Sequence, residues 1–144
     1  MDYSENTKSL ARFQALLPLL SEEDLCQTLS NGWTVSMTFT HLAFWDRYAL
    51  SLIEHWEKEG IVPRFSNFEA MNDGLEFVTA SVPHELTYGL ALDAMTALDQ
   101  KIATLPETLV NTMRESGFER LLFRNLHRNG HIEQIETELG LKER

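Results

Sequence analysis

Cysteine is almost missing from this chain: Cys26 is the only one in 144 residues, so no internal disulfide can form. A lone thiol fits a reducing interior, and beside Leu25 and Leu29 it reads as a small apolar filler, not a nucleophile. Basic residues are also scarce. Twelve Lys and Arg stand against 22 Asp and Glu, a formal net charge of −10. With no basic stripe to offset that excess, a phosphate backbone is repelled, which argues against nucleic acid as a partner. An anionic membrane surface is disfavoured for the same reason. No apolar run approaches the roughly 18 residues of a membrane span, and no basic segment followed by an apolar stretch opens the chain. The expected setting is the cytoplasm. Strand-like alternation, internal repeats and low-complexity segments are absent as well, so sheet, solenoid and disordered classes are all set aside.

What is there is helical periodicity. Leu10, Phe13, Leu17 and Leu20 recur at three- and four-residue spacing, a buried stripe that Pro18 should kink or end near Leu17. Ser21-Glu22-Glu23-Asp24 has the form of a fresh N-cap with acids over the positive helix end, opening a short turn that stops at Asn31-Gly32. Thr34 caps a second long helix to about Lys58, with Phe39, Leu42, Trp45, Ala49, Leu52, Ile53 and Trp56 on its apolar face, closed by Gly60 and Pro63. Residues 64–82 have the weakest pattern. Their Phe65, Phe68, Met71, Leu75 and Phe77 predict an irregular crossover with a short helix, packed down because it is too apolar for a free loop. Pro83 opens a third helix through Tyr88, Ala91, Met95, Leu98, Ile102 and Leu105, closed by Pro106. A fourth runs from near Gly117 to Leu139-Gly140. The expectation is one all-α domain over 1–144, an antiparallel four-helix bundle with a long crossover between the second and third helices.

Five histidines are present, and two of them, His127 and His131, are four residues apart on the fourth helix. That spacing is slightly more than one turn, so both imidazoles stand on one face and can chelate one cation. His41, at the border of the second helix's apolar face, is the candidate third ligand, provided the fold brings it there. Gly130 lies on the same face as the pair; helix interiors disfavour glycine, so close approach of a neighbouring helix or ligand would explain it. His55, near a helix end, and His84, after Pro83, read as structural or solvated. No E-x-x-H pair supports a di-iron centre, and neither H-E-x-x-H nor G-x-S-x-G occurs.

Trp33-Thr34-Val35 followed by His41-Leu42 and Trp45 resembles the W-[ST]-V-x5-H-L-x2-W segment of the DinB/YfiT-like superfamily. The ending His127-x3-His131-x2-Gln134-Ile135-x3-Leu139-Gly140 is similar to that family's H-x3-H-x2-Q-I-x3-L-G. The resemblance covers almost the whole chain. It implies an up-down-down-up four-helix bundle, a homodimer, and a divalent metal, zinc or nickel, held by His41, His127 and His131. Three nitrogen ligands leave a position for water or substrate, the pattern of a catalytic site. It further implies a thiol S-transferase or isomerase using a low-molecular-weight thiol, related to the mycothiol-dependent maleylpyruvate isomerases. Attack by water instead of thiol at such a metal would make a hydrolase, and either would act on a small electrophile. The extra C-terminal domain of some of those enzymes is not expected here, and no set of basic residues dedicated to a thiol cofactor is visible.

Around such a metal, Trp45 and Tyr48 can wall the open position or pack in the core, and Gln134 can fix an imidazole or bridge helices. Asn72, in the crossover, either reaches the site mouth or serves a cap or turn, as does Asp73. Trp45, Tyr48, Asn72 and Gln134 are therefore the candidate substrate-binding residues, with a small molecule or thiol as the expected partner. Two alternatives stand beside catalysis: a non-enzymatic, stress-related or ligand-binding helical module with a vestigial metal site, and a purely structural metal stapling two helices.

Overall fold

The computed structural model describes residues 1–62 and 66–144, and every described element is helical. Seven α-helices follow one another: α1 (Ser4–Gln14), α2 (Glu22–Cys26), α3 (Val35–Glu59), α4 (Phe68–Thr79), α5 (His84–Ala103), α6 (Glu107–Glu115) and α7 (Asn125–Glu138). Short 3-10 turns at Leu17–Leu19, Glu119–Leu121 and Leu141–Glu143 join or end them. No described helix is long and apolar enough to cross a membrane.

The helix starts follow local chemistry. Ser21 caps α2 in a full capping box: its hydroxyl accepts from the Asp24 amide, while the Asp24 carboxylate accepts from the Ser21 amide. Thr34 caps α3 by accepting from the Met37 amide at 3.0 Å. At the far end Gly60, at φ 80°, breaks α3, a conformation that costs a side-chain-bearing residue heavily. Pro63, the other expected terminator, lies outside the described residues, as do Arg64 and Phe65.

α3 lies along α5, α1 packs on both α7 and α5, and α7 returns to α3. Two apolar clusters fill the interior. One gathers Phe13, Phe39, Leu42, Met95, Ile132 and Ile135; the other gathers Ile53, Trp56, Leu98, Ile102, Met113 and Leu122. Each fully buried side chain of this size stabilises the fold by about 1.5–3 kcal/mol relative to exposure. In the first cluster the Phe13 ring stacks on Tyr88 at 4.8 Å and meets Phe39 edge-on at 5.3 Å.

Several boundaries differ from expectation, each for a local reason. α1 stops at Gln14, so the chain turns before the periodic stripe is complete; Leu16 becomes buried and Leu17 is 49% exposed. The crossover holds a regular twelve-residue helix, α4, capped by Asn67, and its Phe77 is 84% exposed instead of packed down. The last helix starts at Asn125, because Gly117 at φ 84° and the following 3-10 turn redirect the chain first. α6, with only Val110 and Met113 buried, was not anticipated between Pro106 and Gly117. Cys26 is exposed: α2 is five residues long and ends on it, leaving its thiol outside the packing of Leu25 and Leu29. A Cβ built at Gly130 would meet nothing within 4 Å, so close approach of a neighbouring helix does not explain that glycine.

Candidate metal centre

α3 and α7 bring the three histidines together. One donor atom each from His41, His127 and His131 falls within 4.8 Å of the others, the arrangement expected of ligands to a single ion. The His41 and His127 Nε2 atoms are 2.9 Å apart. A tetrahedral ion with Zn–N bonds of about 2 Å sets neighbouring nitrogens about 3.3 Å apart, so the donor set fits one ion after small ring rotations. Residues from two stretches 86 positions apart thus converge on one point.

The site is held from both sides. A turn through Asn31 and Gly32, closed by the Leu29 amide donating to the Trp33 carbonyl at 2.7 Å, sets Trp33 over the triad. Its ring lies 4.7 Å from that of His41 and is near-parallel to His131 at 6.3 Å. On the other side, Arg124 places Nη2 3.3 Å from His127 Nδ1 and donates through Nε to Asp46 Oδ1 at 2.8 Å.

Burial dominates the electrostatics. Desolvation, then the neighbouring His131 and His127 rings, push His41 down from 6.5 to about 3. Desolvation, then the Arg124 charge, push His127 down to about 3 as well. His131 is lowered by burial, opposed by the Gln134 side chain beside it. All three rings are therefore neutral near pH 7 and offer lone pairs without first losing a proton. The Arg124 contact also fixes a tautomer. With His127 Nδ1 accepting, its proton sits on Nε2 and is donated to His41 Nε2; the His41 proton then lies on Nδ1, which is buried and unpartnered. Metal ligation through both Nε2 atoms requires the His127 proton to move to Nδ1, where Arg124 no longer finds an acceptor.

A cleft of about 1120 Å³ opens on this centre. His41, His127, Trp45, Tyr48 and Asn72 line it, so three of the four expected substrate contacts face the same space as two of the histidines. Trp45 donates from Nε1 to Asn72 Oδ1 at 2.7 Å, which ties α4 to α3 at the mouth. Asp73 is exposed. Gln134 is elsewhere: it contacts His131 and Glu138, and Glu138 in turn accepts from the Ser30 amide and hydroxyl. It fits the imidazole-fixing role and not a lining one. His55 lines the far part of the cleft, and His84 pairs with Glu22 at 3.2 Å; neither joins the triad.

Sequence reasoning passed over the arginines. Arg128 is wholly buried and pairs with Asp46 and Asp99, each at 2.8 Å. Arg120 and Arg124 line the cleft. Signals were present. Asp46 interrupts the apolar stripe of α3 between Leu42 and Ala49, and Arg128 falls one turn before Ile132 on the buried face of α7. A charge on an apolar face calls for a partner of opposite sign.

Comparison of the chain with family models, with curated proteins and with solved structures finds no match.

Proposed function

We propose that this is a metal-dependent protein of the DinB/YfiT-like kind, binding one zinc or nickel ion through His41, His127 and His131 and acting on a small electrophile. The observation that carries the reading is the convergence of three neutral imidazoles at the end of an open cleft. A bound divalent ion would supply Lewis acidity, lowering the pKa of a ligated thiol or water to make a nucleophile near neutral pH. The chain's own residues do the rest. Trp33 covers one side of the triad, Gln134 holds His131 in orientation, and Trp45 and Tyr48 wall the approach. Thiol S-transfer or isomerisation and hydrolysis are the reaction classes this geometry serves. Helices α1, α3, α5 and α7 are the four members of an up-down-down-up bundle in this reading, with α4 as its crossover, and a second copy completes a homodimer.

One observation favours a second reading. Arg124 bonded to His127 Nδ1 engages one ring of the triad from within the protein, as in a non-catalytic ligand-binding module that keeps a vestigial site. Metal analysis of protein purified without a nickel column separates the two. The expected outcome is about one divalent ion per chain, lost in His127→Ala and in His131→Ala. Wild-type protein that is empty and refuses added zinc, nickel and cobalt overturns the metal reading. Cobalt-substituted protein titrated with low-molecular-weight thiols then tests the chemistry: an intense sulfur-to-cobalt band supports S-transfer, and its absence with every thiol leaves hydrolysis or ligand sensing.

A further inference from the structure

The cleft has a charge pattern opposite to that of the molecule. The chain as a whole carries −10, yet among the described residues the charged side chains lining the cleft are Arg120, Arg124 and Glu59. Arg124 already serves Asp46. Arg120 and Arg47 form no hydrogen bond or ion pair among the described residues, whereas Arg12, Arg114, Arg124, Arg128 and Arg144 each hold a carboxylate, and of the two only Arg120 lines the cleft. Most of the remaining wall is apolar or aromatic, with Leu52, Trp56, Phe68, Phe118, Leu121 and Phe123 among its residues. Phe68 is 59% exposed on one side while its ring meets Trp45 edge-on at 5.4 Å, a large apolar surface left uncovered at the mouth.

From this juxtaposition we infer that the cleft takes a small organic acid: a carboxylate head on Arg120 and an aromatic or branched aliphatic body against Trp45, Phe68 and Phe118. The inference rests on the reading of the cleft as the substrate's approach to the triad, and it names the class of that substrate. Arginine suits the head because its planar fork pairs two donors with two carboxylate oxygens. The wall suits the body because pockets for small molecules are mostly apolar, with a few polar groups fixing orientation. The cleft is also large enough; ligand pockets commonly span about 300–1,000 Å³. A neutral molecule of the same shape would leave Arg120 without a counter-charge. A polyanion would be repelled by the acidic surface outside the cleft.

The test uses 4-phenylbutyrate and its neutral isostere 4-phenylbutanamide, titrated into chelator-treated protein and followed by tryptophan fluorescence and calorimetry. The carboxylate should bind about 10-fold tighter than the amide, as a charge-assisted hydrogen bond requires. Arg120→Gln should cut that preference below about 3-fold while leaving the amide's affinity unchanged, and Arg47→Gln, on the exposed face of α3, should leave the preference intact. Butyrate, which lacks the ring, should bind at least about 10-fold more weakly than phenylbutyrate, the contribution of a buried aromatic group. Equal affinity for acid and amide, a preference that survives Arg120→Gln, or no binding of phenylbutyrate up to about 10 mM each overturns the inference. Because the titration is done without metal, its outcome is independent of the metal analysis. An empty triad with a working carboxylate preference rejects the metal reading alone, and a loaded triad with no preference rejects this one alone.

Discussion

Consecutive residues of α7, His127 and Arg128, serve two polar assemblies that solve the problem of burial in opposite ways. Arg128 is closed. Its guanidinium donates to Asp46 and Asp99, to the carbonyls of Asn6 and Met95, and to the Ser9 hydroxyl, so no polar atom is left over. It joins α1, α3, α5 and α7 at one point, at the level where the two apolar clusters meet along α3 and α5. The histidines are open. Their rings share one hydrogen bond among themselves, His41 Nδ1 has no partner among the described residues, and one nitrogen of each ring lies within 4.8 Å of the others beside a cleft. A buried polar group with every bond made acts as a fastener. One with bonds unmade is poised for something outside the protein.

The sharpest way to break this contrast is to open the closed assembly. Arg128→Met leaves Asp46, fully buried, with one arginine instead of two and Asp99 with none. Loss of one partner from a buried ionic network costs about 3–5 kcal/mol, so the urea midpoint should fall steeply. Replacing Asp46 and Asp99 by Leu in the same chain should recover most of that loss, because apolar groups of similar size substitute well for a buried ionic cluster. A loss below about 1 kcal/mol for Arg128→Met would show the network to be ornamental and erase the distinction.

The open assembly should answer to acid. In metal-free protein His41 and His127 titrate near 3, against 6.5 in the unfolded chain. Between those values the unfolded state binds more protons, so stability is fully present above about pH 6.5 and declines as pH falls towards 3. At about 1.4 kcal/mol per unit and per independent group, and with the two rings mutually coupled, the decline is a few kcal/mol. Urea unfolding at pH 6.5 and at 4.5, the range before most carboxylates protonate, should show the slope in wild type. His41→Leu/His127→Leu should flatten it. An unchanged slope in that variant would mean the histidines are not held neutral by burial.

How far the sequence carried the reading follows the same divide. Periodicity found α3 and α5 almost to their ends, because long stripes and a good cap leave one solution. Thr34, Ser21 and Gly60 acted as their chemistry dictates. The i, i+4 histidines placed themselves on one face, and only the arrival of His41 needed the fold. Legibility failed where polar residues do the work of apolar ones. α1 buries Asn6 and Ser9 alongside Phe13, and α7 buries Arg128 alongside Ile132, so their apolar stripes are broken and their limits were misjudged. α4 failed for the opposite reason: its Phe77 and Val78 face outward, and a periodic search assumes that such residues are buried.

Asn6 gives the smallest effect and the one that joins the two assemblies. α7 has no side-chain cap of its own, since Arg124 stands at its N-cap position. Asn6, from α1, supplies the cap across the interface. Its Oδ1 accepts from the Arg124 and Asn125 amides at 2.9 and 3.2 Å, and its Nδ2 donates to the Leu122 carbonyl at 2.7 Å. Asn6→Ala therefore strips the first turn of α7 of its acceptor and should cost about 1–2 kcal/mol in urea unfolding, as loss of a good N-cap does. Asn6→Asp keeps the acceptor for the two amides but places a carboxylate against the Leu122 carbonyl, so it should fall between Ala and wild type. The consequence for the site is graded along the helix. His127 lies in that first turn and His131 one turn deeper, so fraying loosens one ligand of the pair and leaves the other seated. Metal affinity, read by competition with a chromophoric chelator, should drop in Asn6→Ala by about the factor that 1–2 kcal/mol represents, roughly 5- to 30-fold, without losing its one-ion stoichiometry. Lost stability with unchanged affinity would separate the cap from the site and place the rigidity of the triad in α3 and Trp33 instead.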